Sequence, residues 1–233
     1  MPPPLAPLNI AAIDAAIVDL DGTMVDTLGD FVVALGGMLH DLGLPAVGRD
    51  TVGRLVGKGS EHLIRAVLQH MGAPSPEALF DHAWTRYQHH YLAINGRHST
   101  VYPGVAEGLA TLRAQGLRLA CLTNKPLAFA RPLLAAKGLD GFFDHVFGGD
   151  SFARKKPDPL PLLLTCEALG SAPGCTLAIG DSSNDAQAAR AAGCRVVLVG
   201  YGYNHGRPVR EVPADAYLDS LADLRFGTGA TAP

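Results

Sequence analysis

The stretch Ala15-Ala16-Ile17-Val18-Asp19-Leu20-Asp21-Gly22-Thr23 decides the fold of this 233-residue chain. It begins as a short apolar run, which is typical of a buried strand, and two carboxylates follow where that run ends. Open α/β sheets bind their ligands outside the carboxyl ends of the strands. Because residues i and i+2 of an extended chain face the same side, Asp19 and Asp21 share one small site if the strand geometry continues. If the chain instead turns at Gly22, Asp21 offers its backbone carbonyl to a metal and keeps its carboxylate free.

Two kinds of loop other than a catalytic site also contain closely spaced aspartates and a glycine. An aspartate-rich turn that only ends the strand is one alternative, since Asp and Gly are common turn residues. A calcium loop is the other, and it requires glycine at its sixth position and glutamate at its twelfth. Counted from Asp19, Gly22 is fourth and Asp30 is twelfth, which excludes the calcium loop. A chemical role for the stretch therefore depends on partner residues elsewhere in the chain.

The composition excludes several classes of function. Hydrophobic residues make up 48% of the chain, charged residues 18%, and the formal net charge is −3. This balance is typical of a globular protein. It gives no basic field for nucleic acid or for an anionic membrane surface. No apolar run approaches the ~20 residues of a membrane helix. We therefore expect neither nucleic acid nor a membrane as a partner.

The expected location follows from two features. The segment from Met1 to Pro7 lacks the charged and apolar regions of a signal peptide. The four cysteines show neither metal-ligand spacing nor a redox pair. They are Cys121, Cys166, Cys175 and Cys194. We expect a reduced, cytoplasmic protein.

The hydrophobic pattern predicts two kinds of structure. From residue 27 to residue 96 apolar positions recur at helical spacing, interrupted by a glycine-broken segment at 50–59, and no strand pattern occurs. After residue 104, short apolar runs alternate with amphipathic stretches, which predicts right-handed βαβ units and a parallel sheet. The fold class is therefore α/β, with a Rossmann-like parallel sheet core flanked by helices and an all-helical cap inserted after the first strand.

This pattern also sets the expected domains. They are an N-terminal lead-in (1–14), a discontinuous α/β core (15–26 and 99–225), a helical cap (27–98) and a C-terminal tail (226–233). All of the nine histidines except His145 and His205 lie in the cap. His89 and His90 are adjacent and so face different sides of a helix. We interpret the cap histidines as surface residues and not as a metal site.

Two later motifs offer groups that bind phosphate. Thr123-Asn124-Lys125-Pro126 follows an apolar run and leads into a helix, so its hydroxyl and backbone amides form a candidate phosphate cradle. An ordinary helix cap is the alternative. In Arg154-Lys155-Lys156-Pro157-Asp158-Pro159 the proline favours an extended Lys156, which can reach a phosphoryl oxygen and hold a negative nucleophile. A solvated basic run is the alternative there.

The last motif again places carboxylates after a buried strand. Gly180-Asp181-Ser182-Ser183-Asn184-Asp185 follows the apolar residues 177–179. Mg²⁺ prefers hard oxygen ligands and keeps several waters. Asp181 is therefore a candidate ligand, and Asp185 a candidate to hold a metal-bound water. A simple interaction between Asp185 and the helix dipole is the alternative.

The four motifs, in this order, resemble the signature of the haloacid dehalogenase superfamily, whose phosphatases carry Asp-x-Asp-Gly-Thr. The resemblance implies that Asp19 is the nucleophile and Asp21 the general acid/base. It implies Mg²⁺ as the cofactor, held by the Asp19 carboxylate, the Asp21 carbonyl and Asp181. Phosphoryl oxygens would then be stabilised by Thr123, Asn124 and Lys156.

Most of the chain after Tyr102 further resembles the phosphoglycolate phosphatases of bacteria, a family within this superfamily. The resemblance includes the motifs above, Gly148-Gly149-Asp150 and Tyr201-Gly202-Tyr203-Asn204. It implies hydrolysis of 2-phosphoglycolate to glycolate and phosphate through an aspartyl-phosphate. The carboxylate of that substrate needs its own cation or backbone amides. We expect the glycine-broken cap loop to provide them, with Arg54 or Lys58 supplying the charge.

Other functions remain open at this stage. A dehalogenase needs neither an acid for its halide leaving group nor Mg²⁺, so Asp21 and Asp181 argue against it. A phosphonatase needs an imine-forming cap lysine, for which Lys58 is available. A phosphatase for another small metabolite or a phosphosugar mutase uses the same core chemistry. A binding module without catalysis has no need to keep Asp19, Asp21, Lys156 and Asp181 together.

Overall fold

A computed structural model describes residues 13–73 and 75–225 of the chain. Of the predicted lead-in (1–14), only Ile13 and Asp14 are within the described residues. The predicted tail (226–233) lies wholly outside them.

The centre of the molecule is a six-stranded sheet in which every pairing is parallel. Its strands are β1 (Ala15–Val18), β4 (Arg118–Leu122), β5 (His145–Phe147), β6 (Thr176–Gly180), β7 (Arg195–Val199) and β8 (Ala216–Leu218). The spatial order is β5-β4-β1-β6-β7-β8. Val18 pairs with Cys121 on one side and with Ile179 on the other. The strands that precede three of the sequence motifs therefore end side by side, as the α/β prediction required.

Helices cover both faces of this sheet. They are α5 (Val105–Ala114), α6 (Leu127–Ala136), α7 (Leu160–Leu169) and α8 (Ser183–Ala192). Ala16 and Val18 belong to one hydrophobic cluster, while Ala15 and Ile17 belong to a second on the opposite face. Because both faces are covered, β1 is apolar throughout and does not alternate with polar residues. The predicted Rossmann-like core is confirmed.

A second group of helices lies between β1 and β4 in sequence. It consists of α1 (Leu28–Asp41), α2 (Arg49–Leu55), α3 (Ser60–His70) and α4 (Pro76–Ile94). These helices have their own hydrophobic cluster, which also includes Phe129 of the core and packs against Tyr203. A separate cluster supports the proposal that residues 27–98 are a cap domain. Within the glycine-broken segment at 50–59, residues 50–55 are helical. They belong to α2, which has Gly53 in its interior.

Two short strands connect the helical cap to the sheet core. Val25–Asp26 (β2) and Thr100–Val101 (β3) form an antiparallel pair, so the chain leaves and re-enters the core at one place. Their hydrophobic pattern is too short to be recognised in the sequence. Within the described residues, no helix combines the length and the apolar character that a membrane span requires.

Candidate active site

The first loop of the site begins directly after β1. Asp19 donates its backbone N–H to the carbonyl of Ile179, which continues the pairing with β6 by one residue. The chain then turns, with the backbone N–H groups of Met24 and Val25 both bonded to the carbonyl of Leu20. Gly22 has φ +85°, and a Cβ there would lie 2.9 Å from Asp181 Cγ. Of the two geometries considered for this stretch, the structure has the turn at Gly22.

The turn sends the two carboxylates of the motif to different partners. Asp19 lies with Asp181 and Asp185, and one oxygen from each of the three is within 4.8 Å of the others. Asp21 lies apart from this cluster, and its Oδ1 accepts a 2.7 Å hydrogen bond from Thr27 Oγ1. The Asp21 carboxylate is thus free of the acidic cluster.

Asp181 is held from two directions. Its Oδ1 accepts from Thr23 Oγ1 at 3.2 Å, and its Oδ2 accepts from the Tyr203 backbone N–H at 2.7 Å. It is buried. Burial, with the neighbouring charges of Asp185 and Asp19, raises the pKa of the Asp181 carboxyl well above its usual range. Its position at the end of β6 brings it beside Asp19, as the parallel register requires.

Lys156 is buried among oxygen atoms. Its Nζ donates to the Leu122 carbonyl at 2.8 Å and to Asp185 Oδ1 at 2.6 Å, and lies 2.9 Å from Asp19 Oδ1. Burial disfavours the ammonium, but the charges of Asp185 and Asp19 outweigh it and raise the pKa of Lys156. Burial raises the pKa of Asp19 to about 7 against the opposing charge of Lys156. Lys156 is therefore a fixed cation beside the predicted nucleophile.

Asp185 is engaged at both carboxylate oxygens. Oδ1 bonds Lys156, while Oδ2 accepts from the hydroxyl of Ser182 at 2.6 Å and from its backbone N–H at 3.2 Å. With Ser182 it forms a capping box at the start of α8. Asp185 thus orients Lys156, a role that the sequence analysis did not assign to it, and stabilises the helix end. Its predicted hold on a metal-bound water stays a prediction.

The Thr123-Asn124 pair lines the same pocket. Thr123 Oγ1 accepts from the backbone N–H of Lys125 at 3.2 Å, which leaves its own O–H available as a donor. The amide of Asn124 donates to the carbonyls of Gly57 and Lys156, and its oxygen accepts from the Lys156 N–H. Both N–H donors of the Asn124 side chain are therefore used to position the lysine loop and the cap loop.

The cap contributes apolar side chains, including Phe31 and Leu63, and a glycine-containing loop to the pocket. Gly57, Gly59 and Ser60 line it, whereas Arg54 and Lys58 are absent from its lining. Lys58 instead lines a neighbouring surface cleft, and Arg54 donates to Thr51 Oγ1 at 3.1 Å. The structure thus does not bring these two predicted substrate cations to the carboxylates.

Lys125 is a site residue to which the sequence analysis assigned no role. Its Nζ lies 2.9 Å from Asp21 Oδ1 and 3.2 Å from Oδ2, and its side chain is 1% exposed. The aromatic rings of Phe31 and Tyr91 lie beneath the same ammonium, at 4.4 and 4.7 Å. Asp19 and Asp21 therefore each have a buried lysine of their own.

With this geometry established, comparison with known proteins identifies the family. The family model of haloacid dehalogenase-like hydrolases matches residues 13–193. The chain belongs to this family. The superfamily inferred from the four motifs is confirmed.

Relatives of this haloacid dehalogenase-like hydrolase match over nearly its full length. A phosphoglycolate phosphatase of Thiobacillus denitrificans is 46% identical over 212 residues, which cover 91% of this chain and 93% of the relative. One of Nitrosospira multiformis is 46% identical over 210 residues, covering 90% and 92%. The crystal structure of a predicted phosphoglycolate phosphatase from Haemophilus somnus has a TM-score of 0.87 at 33% identity, and the match covers 93% of this chain and 98% of that one.

The donor set of the hydrolase fits a divalent cation. Four carboxylates line the pocket (Asp19, Asp21, Asp181 and Asp185) against two lysines, Lys125 and Lys156. Burial raises the pKa of the Asp19 and Asp181 carboxyl groups, and the neighbouring carboxylate of Asp185 adds to the shift. Within residues 13–73 and 75–225, the buried Asp19 Oδ1 has no hydrogen-bond partner. A divalent cation at the acidic cluster would offset the excess of carboxylates. Among the described residues, histidines take no part in any such cluster.

Residues near the carboxyl end of β7 also shape the hydrolase site. The Tyr203 hydroxyl accepts from the Thr27 and Leu28 backbone N–H groups and donates to Asp26, which fixes the chain where it enters the cap. His205 Nδ1 lies 2.9 Å from the Val56 carbonyl. Tyr203 belongs to the Tyr201–Asn204 resemblance, which named no role for it, and His205 lies one residue beyond that segment.

Proposed function

We propose that this hydrolase is a Mg²⁺-dependent phosphatase that converts 2-phosphoglycolate to glycolate and phosphate. The observation that carries the proposal is the separation of the Asp19 and Asp21 carboxylates, each paired with its own buried lysine in one pocket. Separate environments let neighbouring carboxylates take different roles in one reaction. The names of the relatives support the choice of substrate.

In the first half of the proposed reaction, an Asp19 carboxylate oxygen attacks phosphorus and the bond from phosphorus to the glycolate oxygen breaks. Asp21 donates a proton to that departing oxygen. The Lys156 ammonium and the Thr123 hydroxyl bind phosphoryl oxygens as negative charge develops on them. The product is free glycolate and an aspartyl-phosphate at Asp19.

In the second half, Asp21 takes a proton from a water molecule and the water oxygen attacks phosphorus. The bond between phosphorus and Asp19 breaks, which releases phosphate and restores the carboxylate. Thr27 keeps Asp21 oriented through its 2.7 Å hydrogen bond. Proton transfer of this kind contributes about 10²- to 10⁴-fold in rate.

The proposed Mg²⁺ ligands are the Asp19 carboxylate, the Asp21 carbonyl and Asp181, with Asp185 holding a metal-bound water. When bound there, the cation offsets the repulsion between the anionic phosphoryl group and the carboxylates. Asn124 is proposed as a positioning residue, since it fixes Lys156 by two hydrogen bonds. The cytoplasmic location expected from the cysteines is part of this proposal.

A panel of small phosphomonoesters tests the function. We expect the highest kcat/KM for 2-phosphoglycolate, full loss of phosphate release in excess chelator, and recovery with Mg²⁺. The Asp19→Asn variant serves as the matched inactive control. Equal kcat/KM across the panel would contradict the proposed substrate. Interconversion of glucose phosphates, followed in parallel, would indicate a mutase.

A further inference from the structure

The two buried lysines of the pocket differ in how their N–H groups are used. An ammonium has three donors. Lys156 Nζ has three oxygen atoms around it, from Leu122, Asp185 and Asp19. Lys125 Nζ contacts the two oxygens of Asp21, and within the part of the chain that the structure describes it has no further oxygen acceptor. Lys125 therefore has a third N–H available for a ligand.

The surroundings of Lys125 direct this N–H toward a ligand. Its side chain is almost fully buried, so water does not solvate the ammonium freely. Phe31 and Tyr91 present ring faces to it, which attract the positive charge but do not replace an oxygen acceptor. Lys125 and Phe31 both line the pocket that contains Asp19. The free donor of Lys125 is thus beside the space that a substrate enters.

The position of Asp21 relates this donor to a particular part of the substrate. In the proposed reaction Asp21 protonates the oxygen that links phosphorus to the leaving group. In 2-phosphoglycolate a single methylene group separates that oxygen from the carboxylate. A cation in contact with both Asp21 oxygens is therefore within reach of the carboxylate of so short a leaving group.

A helix start in the lining of the same pocket also favours a negative charge there. Ser60, the first residue of α3, lines the pocket together with Gly59. Gly59 precedes the helix and has no side chain to cap its first N–H groups. Gly59 has φ +88°, and a Cβ there would lie 2.9 Å from the Asn124 carbonyl, so the loop lies close to the core. The positive end of the helix dipole adds to the charge of Lys125.

We propose that Lys125 is the substrate-binding cation that recognises the leaving-group carboxylate, in a pocket that the N-terminal end of α3 also lines. This assignment rests on the proposed phosphatase function and names the residue that gives it specificity. The proposal replaces the expectation that Arg54 or Lys58 binds the substrate carboxylate, since neither residue lines the pocket.

A pair of matched substrates tests the assignment. 2-Phosphoglycolate and 2-hydroxyethyl phosphate have leaving groups of similar size, and only the first carries a carboxylate. Lys125→Met should lower kcat/KM for 2-phosphoglycolate by about 10- to 150-fold more than for 2-hydroxyethyl phosphate, the range for a hydrogen bond to a charged group. The ratio cancels any effect of Lys125 on Asp21, because both alkoxide leaving groups need the same proton.

Three further variants sharpen the result. Lys125→Arg keeps the charge and should retain most of the preference for 2-phosphoglycolate. Arg54→Met and Lys58→Met should leave the ratio of the two substrates unchanged. Equal losses on both substrates in Lys125→Met, or a selective loss in Arg54→Met or Lys58→Met alone, would overturn the proposal.

A structure provides a second measurement that does not depend on whether the Lys125 variants fold. In crystals of Asp19→Asn with 2-phosphoglycolate, we expect a substrate carboxylate oxygen within hydrogen-bond distance of Lys125 Nζ. A carboxylate bound away from Lys125 would overturn the assignment. Failure of the proposed function is seen separately, because the unmodified enzyme would then not prefer 2-phosphoglycolate over 2-hydroxyethyl phosphate.

Discussion

The core edge and the cap loop contribute to the pocket in different ways. At the core edge, where the strands end, the contributions are charged side chains. Asp181 is held by two hydrogen bonds, and Asp19 lies 2.9 Å from the ammonium of Lys156. The cap loop contributes the backbone of Gly57 and Gly59, and core side chains such as Asn184 hold this loop through the Gly57 carbonyl. The charged groups of the pocket therefore come from the core, while the cap lines it with apolar side chains, Ser60 and loop backbone.

The largest expected effect is on the core edge, through its metal. Excess chelator should abolish phosphate release, and Asp181→Asn should raise the Mg²⁺ concentration needed for half-maximal rate by at least about 10-fold. The reason is the loss of one anionic oxygen ligand from a three-carboxylate cluster. Measuring the rate at increasing Mg²⁺ concentrations gives this half-maximal concentration. Glu167→Gln, at an exposed position, is the control. Full activity in excess chelator would contradict the proposed dependence on Mg²⁺.

The next effect separates the two carboxylates of the core edge. Asp21→Asn should lower the rate on 2-phosphoglycolate by about 10²- to 10⁴-fold, because it removes the proton donor and keeps the backbone carbonyl. The penalty should shrink for an aryl phosphate, whose leaving group needs little protonation. Single-turnover kinetics measure the phosphorylation step in both cases. The same penalty on good and poor leaving groups would show that Asp21 is not the acid.

The smallest effect concerns the cap. Asn184 donates to the Gly57 carbonyl at 3.1 Å, and Asn184→Ala removes this link between core and cap. A typical hydrogen bond contributes about 0.5–1.5 kcal/mol, so we expect KM to rise by roughly 2- to 13-fold with kcat little changed. Steady-state kinetics measure the change. Gln187→Ala, an exposed position on the same helix, is the matched control.

Loss of kcat without a change in KM in Asn184→Ala would mean that Asn184 acts on the core chemistry. The proposed division between core and cap would then be wrong for Asn184, because the loss of a hydrogen bond to the cap backbone would not explain a lower kcat.

The core was predictable because local pattern and chemistry coincide there. The apolar run before Asp19 predicts a strand from its own residues, and the same holds for Asp181. Parallel strands then bring both to one edge, so sequence spacing alone anticipates the acidic cluster. Asp185 was recognised too, although its capping box with Ser182 also stabilises α8.

The rest of the site depends on contacts that local sequence does not encode. The burial of Lys125 results from Asp21, Phe31 and Tyr91, which lie far from it in sequence. Arg54 and Lys58 were chosen for their charge, yet neither lines the pocket, because Arg54 belongs to α2 and Lys58 lines a neighbouring cleft. Strands β2 and β3 have two residues each, too few for an alternating pattern to be seen.

Covalent trapping of the intermediate tests the central claim, that Asp19 is the nucleophile, most directly. The enzyme is mixed with 2-phosphoglycolate and Mg²⁺, quenched in acid within the first turnover and reduced with borohydride, which converts an aspartyl-phosphate to homoserine. Peptide mass spectrometry should find homoserine at position 19 and none at position 21, 181 or 185. Homoserine at another of these positions, or turnover by Asp19→Asn at a substantial fraction of the normal rate, would contradict the account.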